Sequence, residues 1–484
     1  MPLAADFPIP SHEAWVALVE KTLKGASPDT LTRSGYDGLP VEPLYTASPH
    51  QPDSVRFSVT RSQGEGRWDV RTVLDTADPA RANADALQDL ENGANSLLLR
   101  VDPTGRDGVA VASAEDMARV LTGVEIELAP VALDAGFLGV QAAQWLHAAA
   151  KSAPRAQLAL HLDPLSAFAR AGASPGPIEA HLAQAATLAA ELRDTYPDAT
   201  AFLASGAVTH EAGGAEAQEL AVMLAAAAAY LRALNEAGVP LAEVPKLITL
   251  GLAADGEYFI TLAKLRAARG LWSRLCAALG ATAPARVEAR SSRRMLSRLD
   301  PWVNLLRLTA AGFGAAVGGA DAIVLEPFTQ PLGHPTPFAR RQARNAQLVL
   351  MEESGLARVA DPAGGAWFLE TQTDQLARAA WALFQQIEAA GGLAQALRSS
   401  LISGWVETAR TAMIADLASG ARQLIGVTVF RNPDEAPVAV ETYDPADVAK
   451  PAPQIGLAGG DSACPPLSPW RAAEAFEGAP GAAA

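Results

Sequence analysis

The segment LITLGLAADGEYFITLAKLRAARGLWSRLCAALGATAPARVEA, residues 247–289, decides the fold class because it contains a complete strand–helix–strand unit. The apolar run Leu247–Leu252 predicts a buried strand, and Arg286–Ala289 predicts the next one. Between them, apolar residues recur at helical spacing on one face: Tyr258, Leu262, Leu265, Trp272, Cys276 and Leu279. Such a unit is typical of parallel α/β proteins.

The same rhythm of short apolar runs and Ala-rich helical stretches extends over about 270 residues of the chain. Eight runs are predicted as strands: Ser96–Val101, Val124–Leu128, Gln157–Leu162, Thr200–Ala204, Leu247–Leu252, Arg286–Ala289, Ala322–Leu325 and Leu356–Val359. Eight alternating units predict an α/β protein with a (β/α)₈ TIM barrel. A doubly wound open sheet remains the alternative, because alternation alone does not show closure.

Different compositions flank the predicted barrel and divide the chain into three parts. Residues 1–56 contain a helix over 11–25 followed by a Pro- and Gly-rich extended arm, which we expect to contact another subunit. Residues 57–433 hold the barrel and C-terminal helices, one of which carries the stripe Leu376–Ile387. Residues 434–484 are rich in Pro and Ala and predict a disordered tail.

Composition excludes several classes of function. The chain has 484 residues, 49% hydrophobic and 19% charged, with a net charge of −15. This acidity argues against a primary nucleic-acid or anionic-membrane binder. Two distant cysteines, no signal-peptide pattern and apolar runs of at most about 13 residues, short of the ~18 needed for a span, predict a soluble cytoplasmic protein.

Polar residues after the predicted strands are the candidate site, because barrel enzymes bind ligands at the carboxyl ends of their strands. The principal candidates are His210, Ser291, Arg293, Glu326 and Asp361. The further polar residues at such strand ends are Asp102, Asp163, Ser205, Asp255, Glu257 and Ser292. Each also has a structural interpretation, since strand-end Asp and Ser commonly cap the following turn or helix.

No common catalytic motif settles the chemistry. The chain lacks a Walker A sequence, a Gly-x-Ser-x-Gly elbow, His-Glu-x-x-His and Cys-x-x-Cys, and no His/Asp/Glu cluster with metal-ligand spacing surrounds His334. We therefore predict no metal site. The residues alone indicate an acidic α/β barrel with an N-terminal arm and no decisive catalytic signature.

Ten further motifs lie along roughly residues 4–433: Ala4–Pro8, Trp15–Gly25, Tyr36–Gly38, Glu42–Thr46, Asp300–Asn304, Gly318–Ala322, Phe338–Gln347, Glu352–Ser354, Val359–Gly365 and Ile425–Pro433. Together these motifs resemble the methylmalonyl-CoA mutase family, in particular the small subunit of its heterodimeric form. The resemblance implies a TIM barrel through which an acyl-CoA threads. It also implies adenosylcobalamin-dependent isomerisation of (R)-methylmalonyl-CoA and succinyl-CoA, a step of propionate metabolism.

The chain departs from the family's catalytic pattern at four points. Val73 stands where the resemblance implies an active-site tyrosine, and Val208 where it implies a histidine, with His210 two residues further on. An ungapped alignment places Ala183 at the position of the arginine that pairs with the substrate carboxylate. The corrinoid-binding motif Asp-x-His-x-x-Gly is missing, so we expect no cobalamin-binding Rossmann-like domain in this chain.

These departures favour a catalytically degenerate small subunit, a pseudoenzyme that supports a large catalytic subunit. The resemblance then implies that adenosylcobalamin acts in the complex and is bound by the partner. Two alternatives remain open: a barrel subunit that works with a separate corrinoid-binding protein, and a module that senses acyl-CoA through Arg293 or Arg340.

Overall fold

The computed structural model describes residues 10–46, 61 and 66–478, and it confirms the predicted barrel. Eight parallel strands close in the order β7-β8-β1-β2-β3-β4-β5-β6. Their bounds are β1 Asp69–Leu74, β2 Ser96–Arg100, β3 Val131–Asp134, β4 Leu158–Leu162, β5 Thr200–Ser205, β6 Ile248–Ala254, β7 Val287–Ser291 and β8 Ala322–Val324. The open-sheet alternative is therefore wrong.

Helices connect the strands and continue after the barrel. Those up to β5 are α1 His12–Thr22, α2 Pro79–Glu91, α3 Ala114–Val120, α4 Gly139–Ala150, α5 Pro164–Ala171 and α6 Ile178–Arg193. The later ones are α7 Ala207–Glu211, α8 Glu216–Glu236, α9 Tyr258–Ala278, α10 Val303–Val317, α11 Pro337–Leu348, α12 Trp367–Ala389, α13 Leu393–Arg398 and α14 Leu401–Ser419. Within the described residues α8 is long and apolar enough to cross a membrane, but 78% of its apolar window is buried inside the protein, as in a core helix.

Strand alternation separates two cores. On β1, Val70 and Leu74 pack outward under the helices, whereas Val73 belongs to a small apolar cluster inside the barrel. The other members of that inner cluster are Leu98, Ala132, Ala159 and Val324. Inward positions therefore form a packed interior of their own, as barrel geometry requires.

Two of the predicted strands are wrong, and two true strands, β1 and β3, were missed. Val124–Leu128 lies in a turn, and β3 follows it without overlap. Leu356–Val359 begins with a short 3₁₀ helix, because Gly355 with φ +67° turns the chain out of the preceding helix. In β1, the charged inward residues Asp69 and Arg71 hid the strand from a search for apolar runs.

The N-terminal arm is anchored by side chains rather than by a large apolar core. The carboxylate of Asp37 accepts hydrogen bonds from the backbone N–H of Glu216 (3.1 Å) and Ala217 (2.9 Å) at the start of α8. Tyr36 donates to Asp416 on α14. Helix α1 has no buried residue, and the side chain of Ser11 caps it by accepting from the N–H of Ala14. Residues 1–9 and 47–56 of the predicted arm lie outside the described residues.

The predicted disorder of the tail requires a correction over residues 434–478, because this segment packs along the barrel. Lys450 pairs with Asp116, and Ser462 and Ala463 form a short antiparallel pair with Ala173 and Ser174. Further on, the N–H of Trp470 donates to the carbonyl of Glu211 (2.8 Å). Backbone hydrogen bonds and ion pairs order this segment despite its low content of large apolar residues. Residues 479–484 lie outside the described residues.

Candidate ligand site at the barrel mouth

A cavity of about 490 Å³ opens at the carboxyl ends of the strands, and we call it the mouth cavity. Strand ends supply its floor, while α5, α7 and the C-terminal segment supply its sides. The residues that line it include Arg100, Arg106, Asp134, His161, Asp163, Ala167, Arg170, Val208, Arg290, Ser291, Arg293, Glu326, Leu467 and Pro469. The cavity lies where the sequence analysis expected a site.

Ion pairs form the floor of the mouth cavity. Glu326 pairs with Arg293 (2.7 Å) and with Arg100 (3.3 Å). Asp134 pairs with Arg290 (2.9 Å) and stands 3.7 Å from Arg100. Burial opposes ionisation of Glu326, but the two guanidinium groups outweigh it and lower the pKa of this carboxyl to about 2. The floor is therefore charged throughout the physiological pH range.

Three side chains of this floor retain buried polar atoms without a hydrogen-bond partner. These atoms are both ring nitrogens of His161, Nη2 of Arg290 and Oε2 of Glu326. The imidazole of His161 is 1% exposed, and burial lowers its pKa to about 4, so the ring is neutral at pH 7. Its backbone adopts φ +46° where the pairing of β4 and β5 is irregular. A non-glycine residue in this conformation is a mark of functional or structural constraint.

Charged side chains also fill the barrel below this floor. Arg71 pairs with Glu288, and Arg290 pairs with the same carboxylate (2.7 Å). Arg71 and Glu288 are nearly inaccessible to solvent, with side-chain exposures of 6% and 1%. Val73 and its apolar cluster lie in the same interior. The axis of this barrel is thus occupied by its own side chains.

Three of the five principal site residues predicted from sequence meet at the mouth cavity. Ser291 is the last residue of β7, Arg293 follows that strand, and Glu326 follows β8. The hydroxyl of Ser291 accepts a hydrogen bond from the N–H of Glu326 (2.8 Å), which fixes the adjacent strand ends. Arg293 is the most accessible of them, with 36% of its side chain exposed.

His210 lies elsewhere, in a closed cluster behind β6 that we call the α8 cluster. It consists of His210, Glu216, Glu219, Asp255, Lys264, Ser292 and Arg294. His210 is fully buried and its Nε2 lies 2.8 Å from Ser292 Oγ. Burial and Arg294 oppose protonation, but Glu216 and Glu219 outweigh them and raise the pKa of His210 to about 10.

The α8 cluster also brings together three groups of the types that bind metals. Ligand atoms of His210, Glu216 and Glu219 lie within 4.8 Å of one another. The ammonium of Lys264, however, bonds both carboxylates, Glu219 at 2.5 Å. Because a protein cation already fills the space between these carboxylates, the geometry indicates an ionic joint rather than a metal centre.

The structure places two further residues that were assigned to a ligand site, Asp361 and Arg340, away from the mouth cavity. Asp361 is not at the mouth: it pairs with Arg266, which also bonds Glu370 (2.6 Å), and so ties α9 to α12. The prediction that it faces the site failed because Leu356–Val359 is not a barrel strand. Arg340 is buried and held by Asp89 and the carbonyl of Val73, so it does not line a groove.

Of the three substituted family positions, two lie in or beneath the mouth cavity and one lies away from it. Val208 lines the mouth cavity and Val73 lies in the interior beneath it. Ala183, in contrast, is exposed on α6 and does not line the cavity. The arginine that does reach the cavity near this part of the chain is Arg170 at the end of α5.

Sequence reasoning missed the floor residues His161, Asp134 and Arg290. His161 lies within the predicted buried strand Gln157–Leu162, so it was not considered as a residue at a strand end. A usable signal was present: charged residues two positions apart on β1 (Asp69 and Arg71) and on β7 (Glu288 and Arg290), and His161 within β4, are unusual for parallel strands buried on both faces. Such residues must point into the same barrel interior. The arrangement can bind and orient a small polar molecule, and it offers neutral imidazole and guanidinium groups as hydrogen-bond partners.

Comparison with known proteins gives a consistent result. The family described as methylmalonyl-CoA mutase matches residues 45–454. The chain is 41% identical to the methylmalonyl-CoA mutase small subunit of Streptomyces virginiae, over 93% of this chain and 74% of that protein. It is 34% identical to the small subunit of Propionibacterium freudenreichii subsp. shermanii, over 88% and 70%. It is 29% identical to the methylmalonyl-CoA mutase of Cereibacter sphaeroides, over 89% and 66%.

Proposed function

The chain belongs to the methylmalonyl-CoA mutase family, and from this premise we propose that it is a non-catalytic small subunit that supports a large catalytic subunit. In this proposal the complex interconverts (R)-methylmalonyl-CoA and succinyl-CoA, and the partner binds both substrate and adenosylcobalamin. The chain spans about two-thirds to three-quarters of the length of the relatives named above.

The observation that carries this proposal is the filled barrel axis. The family resemblance implies an acyl-CoA threaded along that axis, but here Arg71 and Glu288 form an ion pair inside it. Removing one partner of a buried pair costs about 3–5 kcal/mol, so this pair resists displacement by a ligand. Val73 in the same interior offers no hydroxyl to a reacting acyl group.

The mouth of the barrel does not fit a corrinoid either. Leu467 and Pro469 line the mouth cavity, and Ala472 donates its N–H to the carbonyl of Arg294 (2.9 Å). A planar macrocycle needs a broad open face over the strand ends, and this segment lies across part of that face. The residues at the mouth of this barrel therefore do not fit a bound corrinoid.

Helix α1 supports assembly with a partner. No residue of α1 is buried, and Leu18 on its apolar stripe is 63% exposed. An amphipathic helix that finds no core in its own chain is stabilised when another surface covers that stripe. We propose that α1 and the arm up to Thr46 contact the large subunit in a heterodimer.

Activity measured with and without the partner tests the proposal. The chain alone, supplied with adenosylcobalamin and methylmalonyl-CoA, should give no succinyl-CoA, whereas the reconstituted complex should give it. Turnover by this chain with only a short corrinoid-binding protein would instead support the alternative of a self-standing barrel subunit.

A matched pair of surface variants tests the contact. Leu18→Glu should weaken co-purification with the large subunit by at least about tenfold, which corresponds to about 1.4 kcal/mol. Leu128→Glu is the control, because Leu128 is also exposed, at 80%, and lies far along the chain from the arm. Equal retention of the partner by both variants would contradict a role for α1.

In this fold, the two arginines that the acyl-CoA-sensing alternative relies on are already held by other residues. Arg340 is tied to Asp89 and Val73, and Arg293 is bound to Glu326. Calorimetry with a coenzyme A ester addresses it directly: heat of binding to the isolated chain would favour a sensing module over a purely structural subunit.

A further inference from the structure

The mouth cavity retains features of a ligand site that a purely structural subunit does not require. Its volume of about 490 Å³ is in the range of small-molecule sites in proteins. Buried polar atoms are normally paired, because an unpaired one carries an uncompensated loss of hydration. Here His161, Arg290 and Glu326 all carry such atoms on one floor.

The three unpaired groups differ in their hydrogen-bonding roles. Arg290 uses Nε and Nη1 for Glu288 and Asp134, which leaves the N–H groups of Nη2 as free donors. Glu326 uses Oε1 for its arginine partners, which leaves Oε2 as a free acceptor. The neutral imidazole of His161 supplies one donor and one acceptor. A molecule that satisfies this floor must both accept and donate hydrogen bonds.

The rim supplies positive charge. Arg106 and Arg170 line the mouth cavity, are exposed, and form no salt bridge with any residue in the described parts of the chain. Most acidic groups of the cavity are otherwise engaged: Asp134 with Arg290, and Asp163 with the hydroxyl of Tyr230 (2.5 Å). Guanidinium groups free of a protein carboxylate are suited to bind a ligand carboxylate.

We propose that the mouth cavity binds a small organic acid that carries a hydroxyl group, with its carboxylate on the arginine donors and its hydroxyl donating to Glu326. The filled axis below the floor leaves no channel for the long arm of a coenzyme A thioester, so the free acid is the ligand class. This inference rests on the cavity alone and holds whether or not the chain is a mutase subunit.

Four probes separate the parts of the recognition. Lactate has both the carboxylate and the hydroxyl, propionate has the same carbon skeleton without the hydroxyl, and glycerol has hydroxyls without a carboxylate. Coenzyme A is the fourth probe, and it tests the coenzyme A thioesters that the filled axis excludes as ligands. Ligand-detected NMR on the full chain, alone and in complex with its partner, should show saturable lactate binding with a Kd of about 0.1–10 mM, as expected for so small a ligand. Propionate and glycerol should bind at least about tenfold more weakly.

Two variants locate the binding. Ala167 on α5 is half-buried and lines the cavity, so Ala167→Phe should fill it and abolish lactate binding. Arg170→Gln should weaken lactate at least about tenfold with little effect on glycerol. Ala190→Phe on α6 and Arg155→Gln at the surface are controls, because neither residue lines the cavity, and both should bind lactate like the parent chain.

The proposal is overturned if lactate shows no saturable binding to chain or complex, which would mean that water alone fills the cavity. It is also overturned if Ala167→Phe binds lactate normally while its unfolding temperature is unchanged, or if propionate matches lactate. Competition of lactate by coenzyme A at the same site would replace the free acid with a thioester as the ligand class.

Discussion

Two buried charge clusters of similar composition lie on opposite sides of strand β6, and they differ in whether they line the mouth cavity. In the α8 cluster, Lys264 joins Glu216 to Glu219, and Arg294 joins Glu216 to Asp255. In the barrel interior, Arg290 and Glu326 each keep a buried polar atom without a partner, next to an open cavity.

The difference indicates that buried ion pairs have two roles in this protein: one cluster fixes elements in place, and the other faces a cavity. The α8 cluster does not line the mouth cavity, and it connects to the arm, since Asp37 accepts from the N–H of Glu216 and Ala217. Nδ1 of His210 has no hydrogen-bond partner, but it lies 3.3 Å from the carboxylate of Glu219 within this cluster. The interior network occupies the barrel axis, and its upper layer faces the mouth cavity. A cluster closed by its own counter-charges fixes elements in place, whereas unpaired groups beside a cavity are available to a ligand. The following predictions test this distinction.

The largest effect is expected in the α8 cluster. Lys264→Met should leave Glu216 and Glu219 without their shared cation and lower the free energy of unfolding by about 3–5 kcal/mol. Urea denaturation measures it. Lys450→Met is the control, because the Lys450–Asp116 pair is partly exposed and should contribute about 1 kcal/mol or less. Similar losses in both variants would contradict a special role for the closed cluster.

A substitution in the interior network should lower the free energy of unfolding somewhat less than the change at Lys264. Glu288→Gln keeps an acceptor for Arg71 and Arg290 but removes their counter-charge, with an expected loss of about 2–3 kcal/mol. The double change Arg71→Met with Glu288→Met should cost less than the sum of the two single changes, because each single change leaves the other member of this pair without its counter-charge and the double change removes both. Strict additivity of the two changes would show that the pair does not act as a unit.

The two buried histidines should give opposite pH dependences. The pKa of His210 is raised from 6.5 to about 10, so its contribution is full below pH 6.5 and disappears as pH rises through about 10. The pKa of His161 is lowered to about 4, so its contribution is present above pH 6.5 and is lost as pH falls toward 4.

Paired unfolding measurements check these signs. The stability difference between the parent chain and His210→Gln should shrink on the alkaline side. The difference between the parent and His161→Asn should change on the acidic side, each by on the order of 1–2 kcal/mol. Asn suits the positive φ of His161 and so preserves the backbone there. The same pH dependence in both variants would refute the assigned charge states.

The smallest effect is expected where the arm meets the α8 cluster. Burial, followed by the charge of Glu216, raises the pKa of Asp37 to about 7. An acid with a raised pKa loses stabilising effect as pH increases from its unfolded value near 4 to about 7. Asp37→Asn keeps the capping acceptor without the charge, so it should be neutral or stabilising by up to about 1 kcal/mol at pH 8. A clear destabilisation at pH 8 would indicate that the ionised form is needed.

The sequence predicted the barrel because most strands are continuous apolar runs, and six of the eight predicted runs overlap true strands. It did not predict β1, whose residues Asp69 and Arg71 contradict the usual apolar pattern of a buried strand. Their partners, such as Glu288, lie more than two hundred residues away. Pairings across a closed barrel depend on register and shear, which a local pattern does not contain.

The candidate site was predicted only in part for the same reason. Ser291, Arg293 and Glu326 were found because each follows a recognisable strand. His161 was not found, since its inward direction depends on the irregular pairing of β4 with β5. His210 was assigned to the mouth from its position after β5, but α7 carries it behind the barrel into the α8 cluster.

The ion pair between Arg71 and Glu288 limits how the interior of this barrel can change during evolution. A lineage that reopened the axis one substitution at a time would pass through a chain with a lone charge in its core. Such intermediates fold poorly, so selection removes them before the second change arrives. The occupied axis therefore resists a stepwise change to an open one, because either single substitution leaves a buried charge without its partner.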